Sequence, residues 1–370
     1  MTTSKGVLAR LKLTRDQVEL LGLYVLCVVL ALAISALLIE FNGSSWTRAV
    51  EAIFDGAFQS KGRWGETLRR MAPLLIVAVG SIVATRAGIV NIGQEGQLLV
   101  GTTGAAFVLT KIQPGNPAML IVGLIVGAIV VAVWAGIAGW LYYWRKIPIV
   151  LSTLLLVYLS SQIASYTLTR RQLLLNVVPG EPNRLLLSDV TAPKSRLGII
   201  EIFGNKFPLS VPIALIIAVV AAWVLTRTVW GFRLKMLGMN PRTARRAGVS
   251  ETRYGMAAIL VSGAAAGLAG SMMLAGGESQ YKFSSGFASN AGWDGLLVAL
   301  VARNNPIAAI PVALVFAGLR SASTFLSVAG IEGVLVDVVR ALLVVALFIP
   351  PAISELRRKR RALANLTERT

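Results

Sequence analysis

Asn91, Gln94, Glu95 and Gln97 bring three amides and one carboxylate into seven positions, with Gly93 and Gly96 among them, inside an otherwise apolar sequence. Amides donate and accept, and a carboxylate accepts strongly, so this set can exchange hydrogen bonds with a hydrophilic solute. The glycines permit a helix break or a close backbone approach. At membrane depth such groups are costly unless they face protein or a watery path, which makes the segment a candidate wall of a translocation pathway. A plainer reading uses the same residues. Asn91 and Glu95, one helical turn apart, would satisfy backbone groups at a helix break and pair with a nearby arginine. Residue types alone leave both open.

A second constellation runs from Gly238 to Val249 as Gly-Met-Asn-Pro-Arg-Thr-Ala-Arg-Arg-Ala-Gly-Val. Asn240-Pro241 starts a helix and Gly248 ends it, so a short helix is expected between two long apolar runs. Small Ala244 and Ala247, with arginines at intervals, suit docking into a partner's groove. The same residues also suit an ordinary basic loop beside anionic lipid.

Other chemistry is poorly supplied. The chain has no histidine and one cysteine, Cys27, so it lacks the commonest general base and can form neither an intrachain disulfide nor a cysteine metal cluster. No nucleophile and base constellation is found, and no G-x-x-x-x-G-K-[ST] phosphate loop occurs. Neither catalysis nor a cofactor is expected in this chain.

The elements that must position these residues are membrane helices. Of 370 residues 55% are hydrophobic and 14% charged, and mean hydropathy is +0.71, too apolar for a soluble chain. Roughly 20 apolar residues cross a bilayer. Leu20 to Ile39, Ala118 to Tyr143, Ile149 to Leu168, Leu209 to Thr226, Tyr254 to Ala275, Pro306 to Phe325 and Ile331 to Pro350 qualify. Met71 to Ala84, Gly88 to Leu109 and Trp293 to Ala302 are short or polar, each a span or a re-entrant segment. The expectation is an all-α, polytopic transmembrane bundle of about ten spans.

Charge orients it. The net charge of +19 sits in loops and tails, as expected beside anionic lipid, so membrane lipid and not nucleic acid is the expected partner of these charges. Arg145-Lys146, the 227–253 loop, Arg303 and Arg357 to Arg361 then fall inside, and both termini are cytoplasmic. The basic start before Leu20 could belong to a signal peptide, but the run is too long and has no cleavage pattern, so a retained first helix is expected. The chain divides into a cytoplasmic segment 1–19, a transmembrane domain 20–352 and a basic tail 353–370. Residues 169–208 form an external loop of irregular structure, which could cap the pathway or touch a delivery protein. Trp46 to Phe58, with Trp46, Ala49, Val50, Ile53 and Phe54 on one side, suggests an interfacial helix.

Smaller signals concern packing. Gly263 and Gly267 stand at G-x-x-x-G spacing for close helix approach. Asp294 and Arg303 are expected to end a short crossing helix in water, and Asp337 and Arg340 to neutralise each other on one helix face.

The stretch from Gly238 resembles the G-x-N-P-x-A-A-x-x-A-G-I loop of bacterial ABC-importer permeases of the ribose, branched-chain amino acid and nucleoside group. Thr85 to Gln97 resembles the R-A-G-x-x-N-I-G-x-E-G-Q signature of the nucleoside-type permeases, and Gly292 to Pro306 the family's G-x-x-G-I-A-V-A-L-x-G-x-x-x-P stretch. Met239, Thr243 and Ala302 depart from the common residues. The matches keep the family's order from about Met71 to Pro350.

The resemblance implies a permease subunit of an importer in the bacterial inner membrane, forming half of a pathway for nucleosides, or alternatively for ribose or another simple sugar. It implies coupling to a separate ATP-binding subunit, which carries ATP and Mg, through Gly238, Asn240, Pro241, Ala244, Arg245, Ala247 and Gly248. It also implies a second, related permease subunit and an external substrate-binding protein. Asn91, Gln94, Glu95 and Gln97 become pathway residues. A secondary transporter needing no ATPase is the competing class.

Overall fold

The computed structural model describes residues 15–328 except 44, 60, 61, 177–185, 203 and 204, and beyond them only 338, 339, 341, 342, 345, 346, 349, 350, 353, 354 and 357. Asp337, Arg340, residues 1–14 and most of the final basic block lie outside these. The described chain is mostly helical and falls into two compact units.

The first unit comprises Met1–Gly56 and Ala322–Thr370. Helix α1 (Arg15–Phe41) carries an apolar stretch, Gly22–Phe41, long enough to cross a membrane. After it, α2 (Trp46–Phe54) leads into a single π-helical segment, Asp55–Gln59. Trp46, Ala52 and Ile53 pack on Ile39, Ala322, Leu326 and Val339. Phe54, expected on that same side, is exposed.

The second unit, Ala57–Ser321, contains the other described helices, the last of them as far as Ser321. First come α3 (Arg63–Arg86), α4 (Gln94–Lys111), α5 (Ala118–Arg145) and α6 (Ile149–Thr167). A hairpin of β1 (Ile199–Ile202) and β2 (Asn205–Pro208) precedes α7 (Ser210–Arg227). Then come α8 (Val229–Met239), the short α9 (Pro241–Arg246), α10 (Glu251–Ala275), α11 (Ala291–Val301) and α12 (Ala309–Val328). Including α1, six described helices are long and apolar enough to span a membrane.

Their burial separates scaffold from lipid face. The most apolar stretches of α3 and α10 are 83% and 67% buried, whereas those of α5, α6 and α7 are 22%, 28% and 28% buried. With lipid as solvent an exposed Leu or Val costs nothing, so the buried helices are marked instead by small residues that let backbones approach. A methyl on Gly263 would meet Val131 O at 2.7 Å, and one on Gly101 would meet Gly267 Cα at 2.5 Å. Likewise a methyl on Gly80 would meet Ala265 Cβ at 2.7 Å. Through these contacts α10 is keyed to α3, α4 and α5.

Within the stretch 169–208, expected to be of irregular structure, residues 199–208 instead form an antiparallel hairpin that pairs Ile199 with Pro208 and Ile200 with Phe207. The same stretch is tied to the segment after α10. Leu197 N donates to Ala275 O at 2.9 Å, Ser188 N to Phe283 O at 2.9 Å and Thr191 N to Tyr281 O at 3.0 Å. Backbone groups with no helix to serve them are thus paired with each other.

Candidate functional site

Helix α3 ends at Arg86 because Gly88 adopts φ +79°, and Ile89 N folds back to donate to Ala84 O at 3.0 Å. The chain is then non-helical until α4 starts at Gln94. Asn91 makes that restart. Its Oδ1 accepts Gly93 N at 3.0 Å and Gln97 Nε2 at 3.1 Å, while its Nδ2 donates to Gln97 Oε1 at 2.9 Å and Ser262 Oγ at 3.1 Å. Gln94 Nε2 reaches Ser81 Oγ at 2.5 Å and Ser262 Oγ at 3.2 Å. Asn91, Gln94 and Gln97 are 1%, 1% and 2% exposed. Apart from Gln94 Oε1, which is buried without a hydrogen-bond partner, these amides are spent on each other and on α3 and α10, holding the break shut from within. Ser262 lies near the middle of α10, so the break sits at mid-helix depth.

Glu95 points elsewhere. Its Oε1 accepts Asn290 N at 2.8 Å and its Oε2 accepts Gly292 N at 2.7 Å. The carboxylate thus caps the N-terminus of α11 from α4. Gly292 has to be glycine here, since a methyl on it would meet Glu95 Cα at 2.5 Å and Gln94 C at 2.6 Å.

Asp294, expected in water, is 4% exposed and pairs with Arg320 on α12, Oδ2 to Nη1 at 3.3 Å; Arg320 Nη2 also donates to Ala288 O at 3.3 Å. The expectation fails because α11 begins inside the bundle, so its first turn is not a solvent end. Arg303, at the other end, is exposed as expected. Arg320 was missed by sequence reasoning, although a lone arginine within the apolar run Pro306 to Phe325 is itself a signal of a buried partner.

The second constellation is an outward-facing knuckle. Asn240 Oδ1 accepts Arg242 N and Thr243 N, both at 3.1 Å, and Pro241 occupies the first helical position. Gly248, at φ +80°, terminates the turn, and Val249 N donates to Ala244 O at 3.0 Å. Gly238, Asn240, Pro241, Arg245, Ala247 and Gly248 are exposed. Ala244, whose small size suggested docking into a groove, is instead fully buried against its own chain. Arg245 Nε lies 3.6 Å from Glu251 Oε2. Beside them opens a cavity of about 390 Å³ lined by Tyr142, Tyr143, Lys146, Arg245 and Glu251.

The two constellations meet through backbone. A methyl on Gly238 would lie 2.9 Å from Gly88 N, so the end of α8, immediately before α9, rests on the turn that opens the polar break. Arg86 Nη2 fastens the same corner to Asn304 O, at 3.2 Å, beyond the C-terminus of α11.

Known proteins bear on this arrangement. The guanosine ABC transporter permease protein NupP of Bacillus subtilis is 28% identical over 321 residues, 86% of this chain and 90% of its own length. The glucose ABC transporter permease protein TsgB13 of Haloferax volcanii is 29% identical over 333 residues, 88% of this chain and 86% of its own. The nucleoside ABC transporter permease protein NupB of Lactococcus lactis is 27% identical, covering 86% of this chain and 88% of its own length. No solved structure matches. The family described as branched-chain amino acid transport system, permease component, matches residues 65–348, from the start of α3 to beyond α12, and this chain belongs to it.

Proposed function

We propose that this chain imports nucleosides, as one of two permease subunits of an ATP-driven transporter of the bacterial inner membrane. The observation that carries the substrate class is the similarity, over most of the chain, to NupP and NupB, named for guanosine and nucleoside transport. A simple sugar is the second reading, supported by TsgB13, named for glucose. The other subunits follow from the same reading: a related permease for the other half of the pathway, an external binding protein, and an ATP-binding subunit that carries ATP and Mg.

Within the reading, α9 is the element that the ATP-binding subunit grips, through exposed Asn240, Pro241, Arg245 and Ala247, with Gly238 and Gly248 at its flanks and Ala244 seating it. Its motion reaches Gly88 through Gly238 and so shifts residues 89–93. The polar break is then the moving wall, with the Asn91, Gln94 and Gln97 amides as its internal frame and Glu95 on the pathway side. Alternating access needs two discrete packings, and the glycine contacts of α10 with α4 and α5 permit sliding without opening voids.

Ten crossings with both termini inside are consistent with this, if α4 with residues 88–93 and α11 with residues 276–290 each make one crossing from part helix and part extended chain. Residues 169–208 and α2 then face outside, and 227–253 faces the cytoplasm.

The test is uptake of labelled guanosine and other nucleosides by cells expressing this chain with its genetic neighbours, in competition with ribose and glucose. Nucleoside competition at low concentration is expected. Competition by sugar alone would favour the second reading. Uptake by this chain alone, driven by an ion gradient and indifferent to ATP, would overturn both.

A further inference from the structure

Two helix N-termini meet at one point. Helix α4 begins at Gln94 and α11 at Ala291, and Gly292 packs directly on the backbone of Glu95. The positive ends of two helix dipoles placed this close repel each other. A single carboxylate serves both, because Glu95 lies in the first turn of α4 and accepts Asn290 N and Gly292 N from the start of α11. Asp294 is also in the first turn of α11, but it pairs with Arg320.

What Glu95 holds is a strained segment. Between α10 and α11, Ser279, Gln280, Tyr281, Ser289 and Asn290 all have positive φ, at 51°, 56°, 63°, 44° and 68°. Five L-residues in the left-handed region within one connection persist only where surrounding contacts hold them. At the outer joint these are the pairing of Tyr281 and Phe283 with the external loop and Arg196 lying 3.9 Å over the Tyr281 ring. At the inner joint the charge-assisted hydrogen bonds are the two that the Glu95 carboxylate accepts and the one that Arg320 donates to Ala288 O.

We infer that Glu95 is a positioning residue for transport, a latch whose carboxylate holds residues 284–292 against α4 in this state and releases them when the break moves. The inference rests on the reading of the break as a moving wall. Residues 89–93 lead from the Gly88–Gly238 contact directly to Glu95, so displacement of α9 rotates the carboxylate away from Asn290 and Gly292. Release then relaxes the left-handed residues and bares Ala288, which is 2% exposed here.

The experiment uses the assembled transporter in vesicles. Cys27 is the only cysteine, so Cys27→Ser gives a cysteine-free background into which Ala288→Cys, exposed Gly286→Cys and buried Ala269→Cys are introduced singly. A membrane-impermeant maleimide is applied from outside, with and without binding protein and ATP. In the parent, position 288 is expected to label slowly and faster during turnover. With Glu95→Ala it labels about tenfold faster and independently of ATP, with Glu95→Gln, which keeps one acceptor oxygen, at an intermediate rate. Position 286 labels throughout and position 269 never does.

Unchanged labelling at 288 in Glu95→Ala would overturn the latch. If uptake falls in that variant, the pathway reading survives alone, and if uptake is also unchanged, both fall. Labelling at 269 together with 288 would assign Glu95 a general structural role and equally overturn the latch.

Discussion

Gly88 and Gly238 lie backbone against backbone, at a separation where a methyl on Gly88 would meet Gly238 Cα at 3.2 Å and one on Gly238 would meet Gly88 N at 2.9 Å. Gly238→Ala must therefore displace either the end of α8 or the turn after α3, at a cost of ~1–3 kcal/mol for overpacking. Uptake is expected to fall while ATP hydrolysis by the complex continues. Gly88→Ala adds a left-handed φ penalty of ~1–2 kcal/mol and should be worse. Measuring both activities on the purified complex checks the order, and tight coupling in Gly238→Ala would show that this contact transmits nothing.

Asn240→Ala removes the one side-chain oxygen that accepts both Arg242 N and Thr243 N at the start of the six-residue α9. The loss is ~1 kcal/mol, and Asn240→Asp or Asn240→Ser should restore most of it. Transport per ATP hydrolysed is the readout, with membrane insertion judged by protein abundance. A chain that couples normally without the cap would mean that the partner alone shapes α9.

The Asp294–Arg320 pair is buried on both sides, with side-chain exposures of 5% and 8%. Removing one partner leaves a charge without its counterion in a dry site, so Asp294→Asn or Arg320→Met should each destabilise by ~3–5 kcal/mol. The double replacement should recover part of that loss. Thermal unfolding in detergent follows the series, and additive losses would refute mutual compensation.

Asn91 and Gln97 exchange hydrogen bonds amide to amide and so frame the break from within. Gln97→Leu leaves the buried Asn91 amide short of partners, costing ~1–3 kcal/mol. Transport of every substrate should fall together, with the ratio of guanosine to competing nucleosides unchanged. A changed ratio would return these amides to direct recognition.

Local chemistry was legible and long-range partnership was not. Asn240, Pro241 and Gly248 delimit α9 as their residue types dictate, because capping is settled within four residues. The break before Gln94 was visible in its glycines and amides for the same reason. The partner of Glu95 was not, since Asn290 and Gly292 lie 195 and 197 positions away and offer backbone groups, which carry no residue signature. Asp294 misled because a helix-end acid is normally at the surface, and only the fold reveals that α11 starts inside. The β1–β2 hairpin was hidden by its short strands and the prolines that precede it in the stretch, although Ile199, Ile200 and Ile202 favour extended chain.

The two short helices that meet at Glu95 also constrain how the protein is made. Helix α11, at 11 residues, reaches only ~16 Å, about half the thickness of the hydrocarbon. Preceded by backbone that needs protein partners, it is a poor substrate for insertion as an independent span. It is synthesised directly after α10, so Glu95 is already in place for its N-terminus, while Arg320, the partner of Asp294, follows on α12. For α4 the order is reversed. The chain emits Asn91 and Gln94 long before Ser262, so these two amides lack that partner until α10 follows. Truncated chains that stop before α10 are therefore expected to hold α4 less firmly and to be degraded faster, read as protein abundance in membranes.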